Sequence, residues 1–142
     1  MFPRLFKGRV SIVCVGNELN GDDAAGSVVA ERLRCLRDTQ VIYAHTAPEN
    51  FIDEILDWKP ERVVLVDAAD FGGRPGELRI LNLNSIQSVH FSTHRAPMRL
   101  FVRALAGRGI PVTIVGIQVA NTGLGEPLSP EVEASIEALT RG

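Results

Sequence analysis

Polar side chains directly follow three predicted strands of this chain. They belong to Asn17, Glu18, Asp22 and Asp23 after the first strand, to His45 after the second, and to Asp67 and Asp70 after the third. In an open α/β sheet, ligands bind in the crevice beyond the carboxyl ends of the parallel strands. We therefore expect the functional site at this edge of the sheet.

The pair Asp22 and Asp23 favours a cation over a phosphate in the loop after the first strand. Residues 16–21 match neither GxGxxG nor the P-loop pattern. A phosphate would need the free N–H groups at the start of the next helix, whereas the two aspartates put negative charge there. The alternative interpretation is that Asp22 is an N-cap and Asp23 only favours the helix dipole, each contributing about 0.5–1 kcal/mol.

Asp67 and His94 could complete a metal site with Asp23. Asp67 ends a buried apolar strand, where an ionised carboxylate needs a metal or an arginine to offset desolvation. An aspartate there could also simply start the turn that follows. His94 carries an imidazole, a common metal ligand, although most lone histidines in loops bind nothing. We assign no role to His90, and Asp23, Asp67 and His94 are the predicted metal-binding residues.

Two common types of nucleophilic catalysis do not fit this sequence. A Ser-His-Asp site lacks its strand-to-helix elbow, because no GxSxG is present. Cys14 lies within the first predicted strand instead of at a helix N-terminus, where a reactive thiol is favoured. Cys14 and Cys35 have no CxxC spacing, and we interpret both as buried thiols of a reducing compartment.

The hydrophobic pattern predicts five strands. Continuous apolar runs at residues 10–15 and 63–66 are typical of parallel strands buried on both faces, and residues 41–44 and 112–117 are two further strands. The alternating residues 77–80 follow a loop that is too short for a helical crossover. We therefore expect an antiparallel strand at an edge of the sheet.

Helical spacing predicts four helices. The first is opened by Asp22 and Asp23 and extends to Leu36, the second follows a capping box of Thr46 and Glu49, the third starts at Pro97 and ends at Gly107, and the last is capped by Ser129. The sequence therefore predicts a single α/β domain over residues 1–142. Its fold is a three-layer sandwich with a five-stranded, mostly parallel mixed sheet flanked by helices.

The composition excludes several classes of partner. The 142 residues are 45% hydrophobic and 23% charged, with a net charge of −2, which is typical of a soluble globular protein and gives no electrostatic basis for binding nucleic acid or anionic membranes. No apolar stretch approaches the roughly 20 residues that span a bilayer. The basic N-terminus lacks the cleavage site of a signal peptide. We expect a cytoplasmic protein without membrane insertion.

Residues 15–26, Val-Gly-Asn-Glu-Leu-Asn-Gly-Asp-Asp-Ala-Ala-Gly, resemble the opening motif of the [NiFe]-hydrogenase maturation endopeptidases. Further similar segments follow in the same order: Ala47-Pro48-Glu49-Asn50, Val66-Asp67-Ala68 with Pro75-Gly76-Glu77, Thr93-His94 before Pro97, and Gly116-Ile117-Gln118. Each segment is short, but five in order extend the resemblance over essentially the whole domain, about residues 10–139.

The resemblance implies an enzyme of hydrogenase maturation, of the hydrogenase 3 or formate-hydrogenlyase type. Such endopeptidases remove a C-terminal extension from the hydrogenase large-subunit precursor after nickel insertion. The expected partner is this precursor, and the expected metal is the nickel that it holds, either as a catalytic ion or only as a recognition handle. The family's metal-contacting acid corresponds to Asp23, its strand-end aspartate to Asp67 and its histidine to His94.

The chain departs from the family after the second strand. The family usually shows Asp-Gly-Gly-Ser/Thr there, whereas this chain has Tyr43-Ala44-His45-Thr46. His45 could line the cleft or add a ligand, or it could be a surface histidine beside a capped helix.

Two other functions are compatible with the same residues. One is a non-catalytic metallochaperone or assembly factor that binds the nickel-loaded subunit without cutting it. The other is a small-molecule hydrolase with a carboxylate-bound metal. Only the endopeptidase would shorten the precursor.

Overall fold

A mixed sheet lies at the centre of the computed structural model, which describes residues 2–84, 86–91 and 95–141. The six strands found in these residues are β1 (Val10–Cys14), β2 (Thr39–Tyr43), β3 (Arg62–Asp70), β4 (Leu78–Leu81), β5 (His90–Phe91) and β6 (Val112–Gln118). Their order is β2-β1-β3-β6-β4, and β5 pairs with the end of β3.

Four of these strands are parallel and bring their carboxyl ends to one edge of the sheet. They are β2, β1, β3 and β6. β4 runs antiparallel to β6 at the edge, as predicted, and β5 runs antiparallel to β3. The sequence pattern missed β5 because two residues are too few to show a periodicity.

Helices cover both faces of the sheet. Those in the described part of the chain are α1 (Ala25–Leu33), α2 (Ile52–Trp58), α3 (Arg95–Ala106) and α4 (Pro130–Thr140), with 3₁₀ turns at Phe2–Phe6, Gly21–Ala24, Pro48–Phe51 and Ile86–Ser88. Val29 of α1 and Ile136 of α4 pack on one face of the sheet, and Ile55 of α2 and Phe101 of α3 pack on the other. The three-layer sandwich is therefore confirmed.

The bounds of the helices follow the predicted signals in part. Ser129 is the N-cap of α4 and accepts a hydrogen bond from the Val132 N–H at 3.4 Å. Gly107 directly follows α3, but this helix already begins at Arg95, two residues before Pro97. α1 ends at Leu33 instead of extending to Leu36.

Three local predictions are wrong. β3 does not end at Asp67 but continues to Asp70, because β6 and β5 extend its ladder of hydrogen bonds. The second helical segment begins at Pro48 with Ala47, not the predicted Thr46, as its N-cap. Cys35 is exposed, since it lies beyond the end of α1, whereas Cys14 is buried as predicted.

No helix in the part of the chain that the structure describes is both long enough and apolar enough to cross a membrane.

Candidate functional site

Close backbone packing fixes the loop that carries Asp23. A methyl group on Gly16 would lie 2.5 Å from the carbonyl oxygen of Asp23, and one on Gly26 would lie 2.0 Å from that of Val15. The Asn17 N–H donates to the same Asp23 oxygen at 2.8 Å. Both glycines are needed because the start of α1 touches the end of β1, and this contact sets the position of Asp23.

Asp22 binds the loop between β6 and α4. Its side chain is fully buried. Its Oδ2 accepts hydrogen bonds from the Ala120 N–H at 2.7 Å, the Asn121 N–H at 2.9 Å and the Ser129 hydroxyl at 2.9 Å, and its Oδ1 accepts the Ser129 N–H at 2.7 Å. The carboxylate oxygens of Asp22 thus bind a distant segment of the chain. Asp22 is therefore not the N-cap that the sequence suggested.

The same contacts keep Asp22 ionised. Burial disfavours the charged form, but the N–H groups of Ser129, Asn121 and Ala120 outweigh it and hold the pKa of Asp22 below its ordinary value of 3.8. The stability that this group contributes is complete above the ordinary value and is lost as the pH falls through the lower, folded-state pKa.

We expect Asp22→Asn to lower the free energy of unfolding by about 2–4 kcal/mol at pH 7. The amide nitrogen of asparagine cannot accept a hydrogen bond, so at least one buried N–H or O–H group loses its charged acceptor, and each such loss costs about 1–3 kcal/mol. Urea denaturation measures the change. Ser129→Ala, which removes only the hydroxyl, serves as the milder comparison. An unchanged midpoint for Asp22→Asn would show that these hydrogen bonds contribute nothing net.

Asp23 is half-buried and carries a high pKa. Burial, together with the negative charge of Asp22, raises the pKa of Asp23 from 3.8 to about 6. The side chain lines a groove of about 200 Å³, whose lining residues in the described part of the chain are Asp23, Asp70, His90, Phe91, Val119 and Thr122. No lysine or arginine is among them, so this lining offers no permanent positive charge to Asp23.

Asp67 is fully buried inside β3, where it lies opposite Gly116 of β6. Its negative charge acts on Cys14 of the adjacent strand β1 and on Tyr43 of β2. Burial and the charge of Asp67 raise the pKa of the Cys14 thiol, which therefore stays protonated and unreactive at neutral pH. The sequence-based exclusion of a Cys14 nucleophile agrees with this environment.

The structure brings Asp23 and Asp67 to the same end of the sheet. The Gly21–Ala24 turn that carries Asp23 packs against β3, which carries Asp67. His94 lies outside the described residues. Within those residues, no three His, Cys, Asp or Glu side chains are grouped so that they could hold a metal ion. The complete set of Asp23, Asp67 and His94 therefore stays a prediction.

Comparison with known proteins identifies the family. A sequence profile described as hydrogenase maturation protease matches residues 27–141, which is most of the chain. The chain belongs to the hydrogenase maturation protease family. The hydrogenase 3 maturation protease of Escherichia coli strain K12 is 33% identical over 131 residues, which cover 90% of this chain and 84% of the relative.

Solved structures of this family share the fold of the protease. The [NiFe] hydrogenase maturation protease HycI from Thermococcus kodakarensis KOD1 superposes with a TM-score of 0.83 at 32% identity, covering 97% of this chain and 92% of that one. The endopeptidase HycI from Escherichia coli gives a TM-score of 0.79 at 32% identity, covering 93% and 86%. The resemblance inferred from the motifs is thus confirmed.

Gln118 is a residue of the protease that the sequence analysis did not single out as functional. Its side-chain oxygen accepts the Phe71 N–H at 2.9 Å and the Gly73 N–H at 3.0 Å, and its amide nitrogen donates to Asp70 at 3.1 Å. The hydrogen bond from the Gln118 amide, and to a smaller extent the one from the Gly72 N–H, lowers the pKa of Asp70. Gln118 thereby orders the loop after β3. Its place in the Gly116-Ile117-Gln118 segment was the available signal.

The segment after β2 lines a second groove. This groove has a volume of about 480 Å³ and is lined by Gly16, Asn17, Glu18, Leu19, Tyr43, His45 and Thr46. Burial and a hydrogen bond to Glu18 raise the pKa of the Tyr43 hydroxyl, which therefore remains protonated. His90, to which the sequence analysis gave no role, faces the other groove beside Asp23.

Proposed function

We propose that this protein is an endopeptidase that removes the C-terminal extension of a [NiFe]-hydrogenase large-subunit precursor after nickel insertion. The family match over residues 27–141 supports maturation proteolysis. The observation that carries the proposal for this chain is the half-buried Asp23 carboxylate in the groove at the end of the parallel strands, where its pKa is about 6. We place the reaction in the cytoplasm on the grounds of the sequence composition.

The donor chemistry at this edge fits a divalent transition metal. Asp23 is held next to the ionised Asp22, so a bound cation would relieve a repulsion that the folded chain otherwise has to tolerate. Carboxylate and imidazole together suit nickel, among other first-row metals. In this proposal Asp23, Asp67 and His94 contact the nickel that the precursor carries. When bound, this nickel supplies a Lewis acid beside the scissile peptide bond.

The protein's own groups suit peptide hydrolysis. A pKa of about 6 leaves Asp23 mostly ionised at neutral pH and still basic enough to take a proton from an attacking water molecule. Asp67 adds a second carboxylate, held rigidly inside β3. Asp22 and the glycine contacts hold the Asp23 loop in place, so little reorganisation is needed when substrate binds.

Mass spectrometry of the precursor tests the proposal. Incubation of the purified protein with nickel-loaded precursor is expected to shorten the precursor at its C-terminus and to release the extension as one peptide. A metallochaperone or assembly factor would bind the precursor and leave its mass unchanged. A small-molecule hydrolase would neither bind nor shorten it. An intact precursor after prolonged incubation with active, folded protein would rule out the endopeptidase.

A further inference from the structure

His45 has an unfavourable backbone conformation. Its φ angle is 55°, in the left-handed region where a side chain carrying Cβ is disfavoured. A hydrogen bond from the Gly16 N–H to the His45 carbonyl oxygen, at 2.7 Å, holds this conformation. Glycine at this position would adopt the same backbone without strain.

The imidazole of His45 is exposed but held in place. Its ring centroid lies 4.3 Å from that of Tyr43, and its Nδ1 lies 3.7 Å from a carboxylate oxygen of Glu18. The side chain is nonetheless 69% exposed. An imidazole so exposed contributes little to the core, so packing does not explain why a strained residue stands here instead of glycine.

The groove beside His45 adjoins the loop that carries Asp23. Gly16 and Asn17 line it, and the Asn17 N–H is bonded to the carbonyl oxygen of Asp23. Leu19 lines the same groove and is 67% exposed. The groove thus combines the aliphatic side chain of Leu19 with two rings and a carboxylate. Such a lining suits an extended polypeptide better than a hydrated ion, because a polypeptide can cover the exposed leucine.

We propose that His45 is a substrate-binding residue, and that the groove it forms with Tyr43 and Glu18 receives a polypeptide segment of the precursor next to the scissile bond. This inference rests on the proposed function, because the precursor is the polypeptide that reaches Asp23. The strained backbone presents the imidazole to the precursor, and contact with the tilted Tyr43 ring limits its motion.

The test is the variant His45→Gly, with Lys59→Gly as the matched control. Lys59 has a φ of 58° at the end of α2 and lines neither groove described above. Both variants are expected to raise Tm by about 3 °C, because glycine relieves left-handed strain. Only His45→Gly is expected to raise KM for nickel-loaded precursor, by about five- to tenfold, with kcat within about twofold.

A second variant and a second measurement keep the outcome decisive. His45→Asn tolerates the left-handed backbone but lacks the ring, and it should raise KM like His45→Gly. The Kd for immobilised precursor is measured for every variant. If the parent protein binds the precursor but does not cut it, the proposed endopeptidase activity is wrong. The ratio of the Kd values of variant and parent then still tests whether His45 binds the precursor. Unchanged KM and Kd in both His45 variants, or a parent that neither binds nor cuts, overturns the role of His45.

Discussion

Asp23→Asn is expected to stop processing of the precursor and to make the metal-free protease more stable at neutral pH. The loss of rate should be at least about a hundredfold, since removing even an outer partner of a metal ligand commonly costs 10–100-fold. The carboxylate is lost while the volume of the side chain is kept. Initial rates of precursor shortening measure the first effect, and thermal unfolding measures the second.

The gain in stability has a defined pH dependence. The pKa of Asp23 is about 6 in the folded protein and 3.8 ordinarily, so the folded chain disfavours the charged form. Ionised Asp23 therefore destabilises the fold fully above pH 6, and this effect disappears as the pH falls through 6 towards 3.8. After a discount for its partial exposure, Asp23→Asn should gain about 1–2 kcal/mol at pH 8, or roughly 3–8 °C in Tm, and almost nothing near pH 4.

Companion variants separate the site from general effects of lost charge. Asp67→Asn and His94→Ala should also abolish processing. At Asp67 we choose Asn instead of Ala, because Ala would leave a cavity at this fully buried position. Asp57→Asn makes the same chemical change at an exposed position of α2 and should process normally. Parental rates in Asp23→Asn, Asp67→Asn and His94→Ala would show that the site has been assigned to the wrong residues.

The sequence predicted the parallel core of the fold because burial on both faces leaves continuous apolar runs such as residues 10–15 and 63–66. It placed Asp23 and Asp67 near each other because the carboxyl ends of parallel strands share an edge. The sequence did not predict β5, because a strand of two residues is too short to show an alternating pattern. Cys35 was misread because the apolar spacing of the first helix extends past its actual end at Leu33.

The function of Asp22 could not be predicted from local sequence. Its partners Ala120 and Ser129 lie 98 and 107 residues away, and their approach depends on how β6 and α4 return to the start of α1. Capping rules describe only neighbours within a few residues. The strain at His45 was equally hidden, since a backbone angle is set by tertiary contacts such as the Gly16 hydrogen bond.

The protease is expected to cut only precursor that already holds nickel. Two carboxylates and one imidazole leave positions open around a transition metal, so the set of Asp23, Asp67 and His94 should bind a free ion only modestly. Thiolates of the precursor can occupy the remaining positions. The nickel then joins enzyme and substrate, and the contact that docks the precursor also reports that insertion is complete.

The size of this effect follows from the docking free energy. Losing about 3 kcal/mol of bridging would weaken docking by more than a hundredfold, which is enough to prevent cleavage at low precursor concentration. The measurement compares initial rates on matched metal-free and nickel-loaded precursor after stray metal has been removed with a chelator. Asp57→Asn should show the same ratio of rates as the parent. Equal rates on the two precursors would mean that nickel plays no part in the choice of substrate. The protease would then recognise the polypeptide alone, through contacts such as those of the His45 groove.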